Sequence, residues 1–291
     1  MKIIRTIKDM QTFRHDHITK RIGFVPTMGY LHDGHTSLMT QAADDNDLVI
    51  ASIFVNPLQF GPDEDYDQYP RDEKRDLNIA KKHGVDVLFL PNVKQMYPNN
   101  MAVQMTINDR VDVLCGRSRP GHFDGVLTVL TKLFNIIQPH QVYFGLKDAQ
   151  QVAIVTALIQ DLNFPMTLKG LPTVREQDGL AKSSRNVYLS PDEREEAVWL
   201  YRSLLHGIDL MSAGQKDAKI ITQSVAQMIT EHTKGTIDYV EILSFPQLKS
   251  MSTIDESAII AVAVQYKQAR LIDNVLLHPD GELIRMFEYK H

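Results

Sequence analysis

The first two-thirds of the chain alternates short apolar runs with longer stretches whose apolar residues recur every three or four positions. Residues 22–25 read as a short buried strand, followed by a glycine-containing turn and a helix through Leu38, Met39 and Ala42. Residues 48–55 are almost unbroken in apolar character, the pattern of a strand covered on both faces. Helical spacing returns over 72–83, and 85–90 reads as the next parallel strand. Val126, Leu127, Leu130, Leu133, Phe134 and Ile137 share a helical face; 141–144 then forms a strand and 152–162 a helix. Strands alternating with helices predict a Rossmann-like α/β fold, a parallel sheet with flanking helices; an antiparallel α+β fold is the plain alternative.

The pattern changes near Ser190. Ser190, Pro191 and Glu193 supply a cap, a proline at the first helical position and an acid three after the cap. A long amphipathic helix through Trp199 and Leu205 is expected, then a second over 217–233. Three β-like runs follow at 238–243, 258–264 and 269–277. The chain therefore reads as a Rossmann-like domain, residues 1–186, followed by a smaller α+β C-terminal lid domain, residues 187–291.

Composition adds exclusions. A length of 291 residues suits two domains, and 43% hydrophobic with 23% charged residues suits a packed core. A formal charge of −5 carries no basic excess, so nucleic acid is not an expected partner. Cys115 is the one cysteine, which excludes an internal disulfide and a Cys-rich metal site and points to a reducing cytoplasm. The first residues lack the apolar stretch of a signal peptide, and no long apolar run suggests a membrane span.

Two segments carry chemistry. Pro26-Thr27-Met28-Gly29-Tyr30-Leu31-His32-Asp33-Gly34-His35 holds an H-x-G-H element between a strand and the start of a helix. Helix starts present unpaired N–H groups that suit phosphate, and two imidazoles three residues apart can donate to a leaving pyrophosphate. Two histidines without a third ligand at a familiar spacing make a poor metal site. Two incidental surface histidines are the plain alternative. Gly179-Leu180-Ala181-Lys182-Ser183-Ser184-Arg185-Asn186 packs hydroxyls and cations into one loop that can wrap phosphate oxygens. A polar linker between domains is its plain alternative.

This pairing resembles the nucleotidylyl-transferase superfamily that includes class I aminoacyl-tRNA synthetases. Within it, the chain resembles the pantothenate synthetase (pantoate–β-alanine ligase) family. The matching segments stand in family order: Pro26 to Gly29, Phe54-Val55-Asn56-Pro57-Leu58-Gln59-Phe60, Arg119-Pro120-Gly121-His122-Phe123-Asp124-Gly125-Val126, Phe144-Gly145-Leu146-Lys147-Asp148-Ala149-Gln150-Gln151, and Ser183 to Asn186. The C-terminal part fits by length and position.

The resemblance implies an ATP-dependent ligase. Pantoate attacks the α-phosphorus of ATP and expels pyrophosphate; β-alanine then attacks the adenylate and releases AMP. Pro26 through His35 would line the ATP site, with Gly145, Leu146, Lys147, Asp148, Val174, Lys182, Ser183, Ser184 and Arg185. His32, His35 and Lys147 would be catalytic, with His35 at the position usually assigned as proton donor. Gln59 and Gln151 would hold pantoate, and Gln59 would also touch β-alanine; Asn56, Arg119 and His122 would assist. Lys182 departs from the family, which usually carries an apolar residue such as methionine there. Mg²⁺ would ride on the ATP phosphates, with no protein metal cage. The enzyme would be a cytoplasmic homodimer.

Rival readings account for less. A tRNA synthetase needs a tRNA-binding surface, a transferase acting on a phosphate substrate does not call for the paired glutamines, and a non-catalytic nucleotide binder does not need His32, His35, Lys147 and Arg185 together.

Overall fold

The structure, a computed structural model, describes residues 1–62, 64 and 66–291. Six parallel strands build most of the larger sheet: β1 (Lys2–Ile4), β2 (Ile22–Thr27), β3 (Leu48–Ile53), β4 (Val87–Phe89), β5 (Gln141–Gly145) and β6 (Thr167–Leu171). Their order is β1-β4-β3-β2-β5-β6. Strands β7 (Thr236–Ser244), β8 (Ala258–Gln265) and β9 (Arg270–Leu277) form a second, antiparallel sheet. The last strand, β10 (Phe287–Lys290), returns to the first sheet and pairs antiparallel with β6.

The helices of the first part are α1 (Ile7–Asp16), α2 (Asp33–Asp45), α3 (Glu73–Lys82), the short α4 (Val93–Met96) and α5 (Leu114–Ser118), α6 (His122–Ile137) and α7 (Ala149–Asp161). Alternation along the strands explains the two helical layers. Val25, Val49, Ala51, Leu88 and Tyr143 pack with Leu38, Met39 and Ala42 of α2 and Ala80 of α3. Their strand neighbours Phe24, Ile50, Phe89, Val142 and Phe144 pack with α1, α6 and α7 instead. The same logic buries β8 on both faces. Ile260, Val262 and Val264 face α9 (Val198–Ser212) and α10 (Ala218–His232), whereas Ile259, Ala261 and Ala263 join the core of the first part.

The mixed α/β architecture agrees with the sequence reading in class, and the elements differ in places. The helix expected through Trp199 and Leu205 is divided at Ala197 into α8 (Pro191–Glu196) and α9. The capping box at Ser190 and Glu193 is present. Four elements carry too little apolar pattern to be read in advance. Strand β1 has three residues, α1 buries Met10 and Phe13 amid polar neighbours, β6 alternates, and β10 has no fully buried residue.

Strand order reverses at β2, which has β3 on one side and β5 on the other. In such sheets the crevice beyond the carboxyl ends of the two flanking strands is where ligands bind. Here those ends are Thr27 and Gly145, each leading directly into a segment singled out from the sequence.

Candidate active site

A cavity of about 270 Å³ opens at this crevice. Pro26, Thr27, Met28, His32, Gly34 and His35 line it from β2 and α2, Gln59 from the turn after β3, and Gly145, Lys147, Asp148 and Gln151 from the β5 end. Val174, Lys182, Ser183, Ser184 and Arg185 close the remaining side. A second cavity of about 820 Å³ lies against the β7–β9 sheet and shares Arg119, His122, Lys147, Asp148, Gln151, Ser183 and Arg185 with the first. Five expected ATP-site residues do not line either cavity: Gly29, Tyr30, Leu31, Asp33 and Leu146. Leu31 and Leu146 are core side chains.

The H-x-G-H spacing is also the spacing of a helix cap. His32 is the N-cap of α2, and its Nδ1 accepts from the Gly34 N–H at 3.1 Å. His35, three residues on, accepts from the His32 N–H through Nδ1 at 3.3 Å. The two rings therefore form a reciprocal capping box. They lie 4.1 Å apart between centroids. With both Nδ1 atoms accepting, each neutral ring carries its proton on Nε2, the atom left for a ligand. Burial, then the charge of Lys147, brings His32 down to about 4. Burial, His32 and Lys147 bring His35 to about 3. At neutral pH the pair is uncharged and donating. Gly34 lets the His32 ring fold over the backbone, since a Cβ there would sit 2.9 Å from its Cε1.

Lys147 sits on the 3-10 turn Leu146–Asp148, and its ammonium is 4.0 Å from Asp148. That turn is fixed from the second sheet. Asn274 of β9 donates to the carbonyls of Leu146 (3.1 Å) and Lys147 (2.8 Å). The adjoining Asp273, 2% exposed, takes a bidentate grip from Arg175 at 2.6 and 3.0 Å. Arg175 also stacks on Tyr201 at 3.6 Å. Sequence reading missed Asp273 and Asn274; the available signal was two polar residues inside an apolar strand.

Gln59 is 8% exposed and held in one orientation. Asn56 donates to its Oε1 at 3.2 Å, while Tyr97 donates to Asn56 Oδ1 at 2.9 Å. Burial pushes the Tyr97 hydroxyl up, so it remains a donor. The Gln59 amide NH₂ is thereby turned to Met28 Sδ (3.1 Å) and the cavity. Of the adjacent glutamines, Gln150 spends its amide on the Arg110 and Val113 carbonyls at 2.8 and 2.9 Å, and Gln151 faces the cavity.

Arg119 and His122 are committed to protein partners. Arg119 grips Glu64 through two 2.7 Å bonds and donates to His122 Nε2 at 2.9 Å. His122 is thus left to donate from Nδ1 to the Gln59 carbonyl at 2.7 Å. Burial and the neighbouring Arg119 hold His122 at about 4. Lys182 is committed as well: its ammonium pairs with Asp33, and with Glu176 at 3.2 Å. Its backbone N–H closes a small hairpin by donating to Val174 O at 2.9 Å. Ser183 caps the following turn, accepting from the Arg185 N–H at 3.3 Å.

Among the described residues, no group of three or more His, Cys, Asp or Glu side chains is placed to hold a metal ion. Among the same residues no helix is long and apolar enough to cross a membrane. The arrangement offers neutral N–H donors at a helix start, a lysine opposite them, and oriented amides beside an apolar wall that includes Phe54, Val126 and Leu130. Such a site can hold an anion while negative charge migrates along it.

The family model for pantoate-beta-alanine ligase matches residues 2–276. A pantothenate synthetase of Geobacillus sp. (strain WCH70) is 56% identical over 279 residues, spanning 95% of this chain and 99% of the relative. The crystal structure of pantothenate synthetase from Thermus thermophilus matches with a TM-score of 0.89 at 42% identity, covering 94% of this chain and 99% of that one. The pantoate-beta-alanine ligase of Francisella tularensis, crystallised with beta-gamma ATP and beta-alanine, matches with a TM-score of 0.77 at 35% identity, covering 95% and 97%.

Proposed function

The chain belongs to the pantoate–β-alanine ligase family, and from that premise we infer that it joins pantoate to β-alanine through a pantoyl-adenylate, releasing AMP and pyrophosphate. The observation that carries the residue-level reading is the meeting of His32, His35, Lys147, Gln59 and Gln151 in one cavity at the sheet's reversal point.

A carboxylate acylates poorly, and adenylation gives it a good leaving group. Gln59 and Gln151 bind pantoate with neutral amides, which hold its oxygens without trapping the acid as a salt. The pantoate carboxylate attacks the α-phosphorus, and the bond to the bridging oxygen of pyrophosphate breaks. Nε2–H of His32 and His35 and the ammonium of Lys147 stabilise the charge that builds on that oxygen. With its pKa near 3, His35 acts as a neutral donor, not as an acid at ordinary pH. Ser183, Ser184 and Arg185 receive the β- and γ-phosphates. The amine of β-alanine then attacks the acyl carbon, the amide forms, and AMP leaves as the amine loses its proton. Mg²⁺ enters as part of the substrate, on the triphosphate with water as its remaining ligands.

The proposal extends to a homodimer, to the cytoplasm as the compartment of a chain with one cysteine, and to a functional division into residues 1–186 and 187–291. Incubation with ATP, Mg²⁺, pantoate and β-alanine tests the reaction. AMP release that requires both acids supports it; steady release without β-alanine, or none with both, overturns it. Light scattering at the mass of a single chain would overturn the dimer.

A further inference from the structure

Asp76 lies on α3, outside every segment that the motifs single out, and is 2% exposed. Its carboxylate reaches the loop between β2 and α2. Oδ2 accepts from the Tyr30 N–H at 2.7 Å and Oδ1 from the Leu31 N–H at 2.8 Å. The neighbouring Arg75 completes the grip, donating to Leu31 O at 2.7 Å and lying 4.8 Å over the Tyr30 ring.

Gly29 (φ 90°) and Tyr30 (φ 50°) both occupy the left-handed region. A non-glycine residue such as Tyr30 stays there only when its surroundings hold it. Here successive N–H groups face one carboxylate, so the concavity that such a turn could offer an anion is filled from within the protein. A side chain at Gly29 would also crowd the arrangement, with its Cβ 2.8 Å from Ile53 Cγ2 and 3.1 Å from Asp76 Oδ2. Leu31 is followed at once by His32, whose N–H goes to His35. One buried acid therefore fixes the two residues immediately before the imidazole pair.

We propose that Asp76 is a positioning residue for the adenylation half-reaction, holding through Tyr30 and Leu31 the loop that aims His32 and His35 at the triphosphate. This rests on the ligase reading. The dependence is specific to one half-reaction because the imidazoles act on departing pyrophosphate, which has gone before β-alanine attacks. A carboxylate that merely stabilised the fold would affect both halves alike.

Two assays on the intact protein separate these cases. Exchange of pyrophosphate into ATP in the presence of pantoate reads the first half; transfer from supplied pantoyl-adenylate to β-alanine reads the second. Asp76→Asn keeps the size but turns an amide NH₂ toward a loop N–H. It should lower the exchange rate by about 100-fold and leave the second half within about threefold, since misplacement of catalytic groups by an ångström costs on that order. An equal fall in both halves, or no fall in exchange, overturns the proposal. Arg75→Met covers the case in which Asp76→Asn does not fold: the Arg75 side chain is 40% exposed, and after its loss Asp76, 3.5 Å from it, still accepts both loop N–H groups. It should lower exchange selectively by several-fold, and an unchanged or evenly divided rate overturns the proposal equally. Absence of pantoate-dependent exchange in the unsubstituted protein removes the ligase reading, and this inference with it.

Discussion

His32 and His35 cap a helix and face the cavity with the same rings, and the two tasks constrain each other. Because Nδ1 of each ring accepts a backbone N–H, protonation breaks the cap and charges the site together. Both rings are held well below the ordinary histidine value, at about 4 and 3. An unfolded chain takes up these protons as pH falls through about 6.5, and the folded chain does not. Their contribution to stability is therefore complete above that value and lost as pH falls toward 4 and 3. Pyrophosphate exchange should show no inflection near 6.5 and should collapse nearer 4; a histidine-like midpoint near 6.5 would refute the neutral pair. Lys182 gives a second residue-scale expectation. Its carboxylate partners are solvent-accessible, with Asp33 64% exposed, so the pairing is worth little and is screened by salt. Lys182→Met should raise the KM for ATP only about two- to fivefold in dilute buffer, with the difference vanishing in high salt. A larger, salt-resistant loss would show that the ammonium binds phosphate directly.

Individual elements act here as mounts for single side chains. The turn Pro57–Gln59 lies so close to α6 that a Cβ on Gly125 would be 2.2 Å from Leu58 O. This contact is why the Arg119-to-Val126 motif contains a glycine: it sets the depth at which Gln59 stands. Gly125→Ala should destabilise the protein by about 1–3 kcal/mol through overpacking and raise the KM for pantoate more than that for ATP. Thermal unfolding with paired KM measurements checks both; a changed melting temperature with an unchanged pantoate KM would separate packing from positioning. Arg119 and His122, on the same motif, belong to this mount as well, since both bond to the Gln59 carbonyl.

At the scale of the whole molecule, the second sheet supports the first site. Asp273 and Asn274 sit on β9, yet they anchor the Arg175 hairpin and the Lys147 turn. Arg175→Met would leave Asp273 buried without its partner, a loss of about 3–5 kcal/mol. It should also lower kcat by loosening the neighbouring Val174–Lys182 hairpin; urea unfolding and steady-state rates read the two effects, and wild-type stability would refute the anchoring role. The sequence by itself determined the alternation of strand and helix, the β character of the C-terminal runs, the cap at Ser190, and the family motifs. The first three follow from local periodicity and short-range chemistry, and the motifs from their resemblance to a known family. Only the tertiary structure decided that β10 returns to the first sheet, that the H-x-G-H rings cap each other with Nε2 left over, and that Gln150 spends its amide on backbone carbonyls while Gln151 lines the cavity at the crevice. It also decided that Asp76, Asp273 and Asn274 hold the site from other elements. Those roles depend on which groups meet across 46 residues for Tyr30 and Asp76, or 127 for Lys147 and Asn274. Local pattern is blind to such distances, because a buried polar side chain reveals its partner only once the backbone has brought the two together.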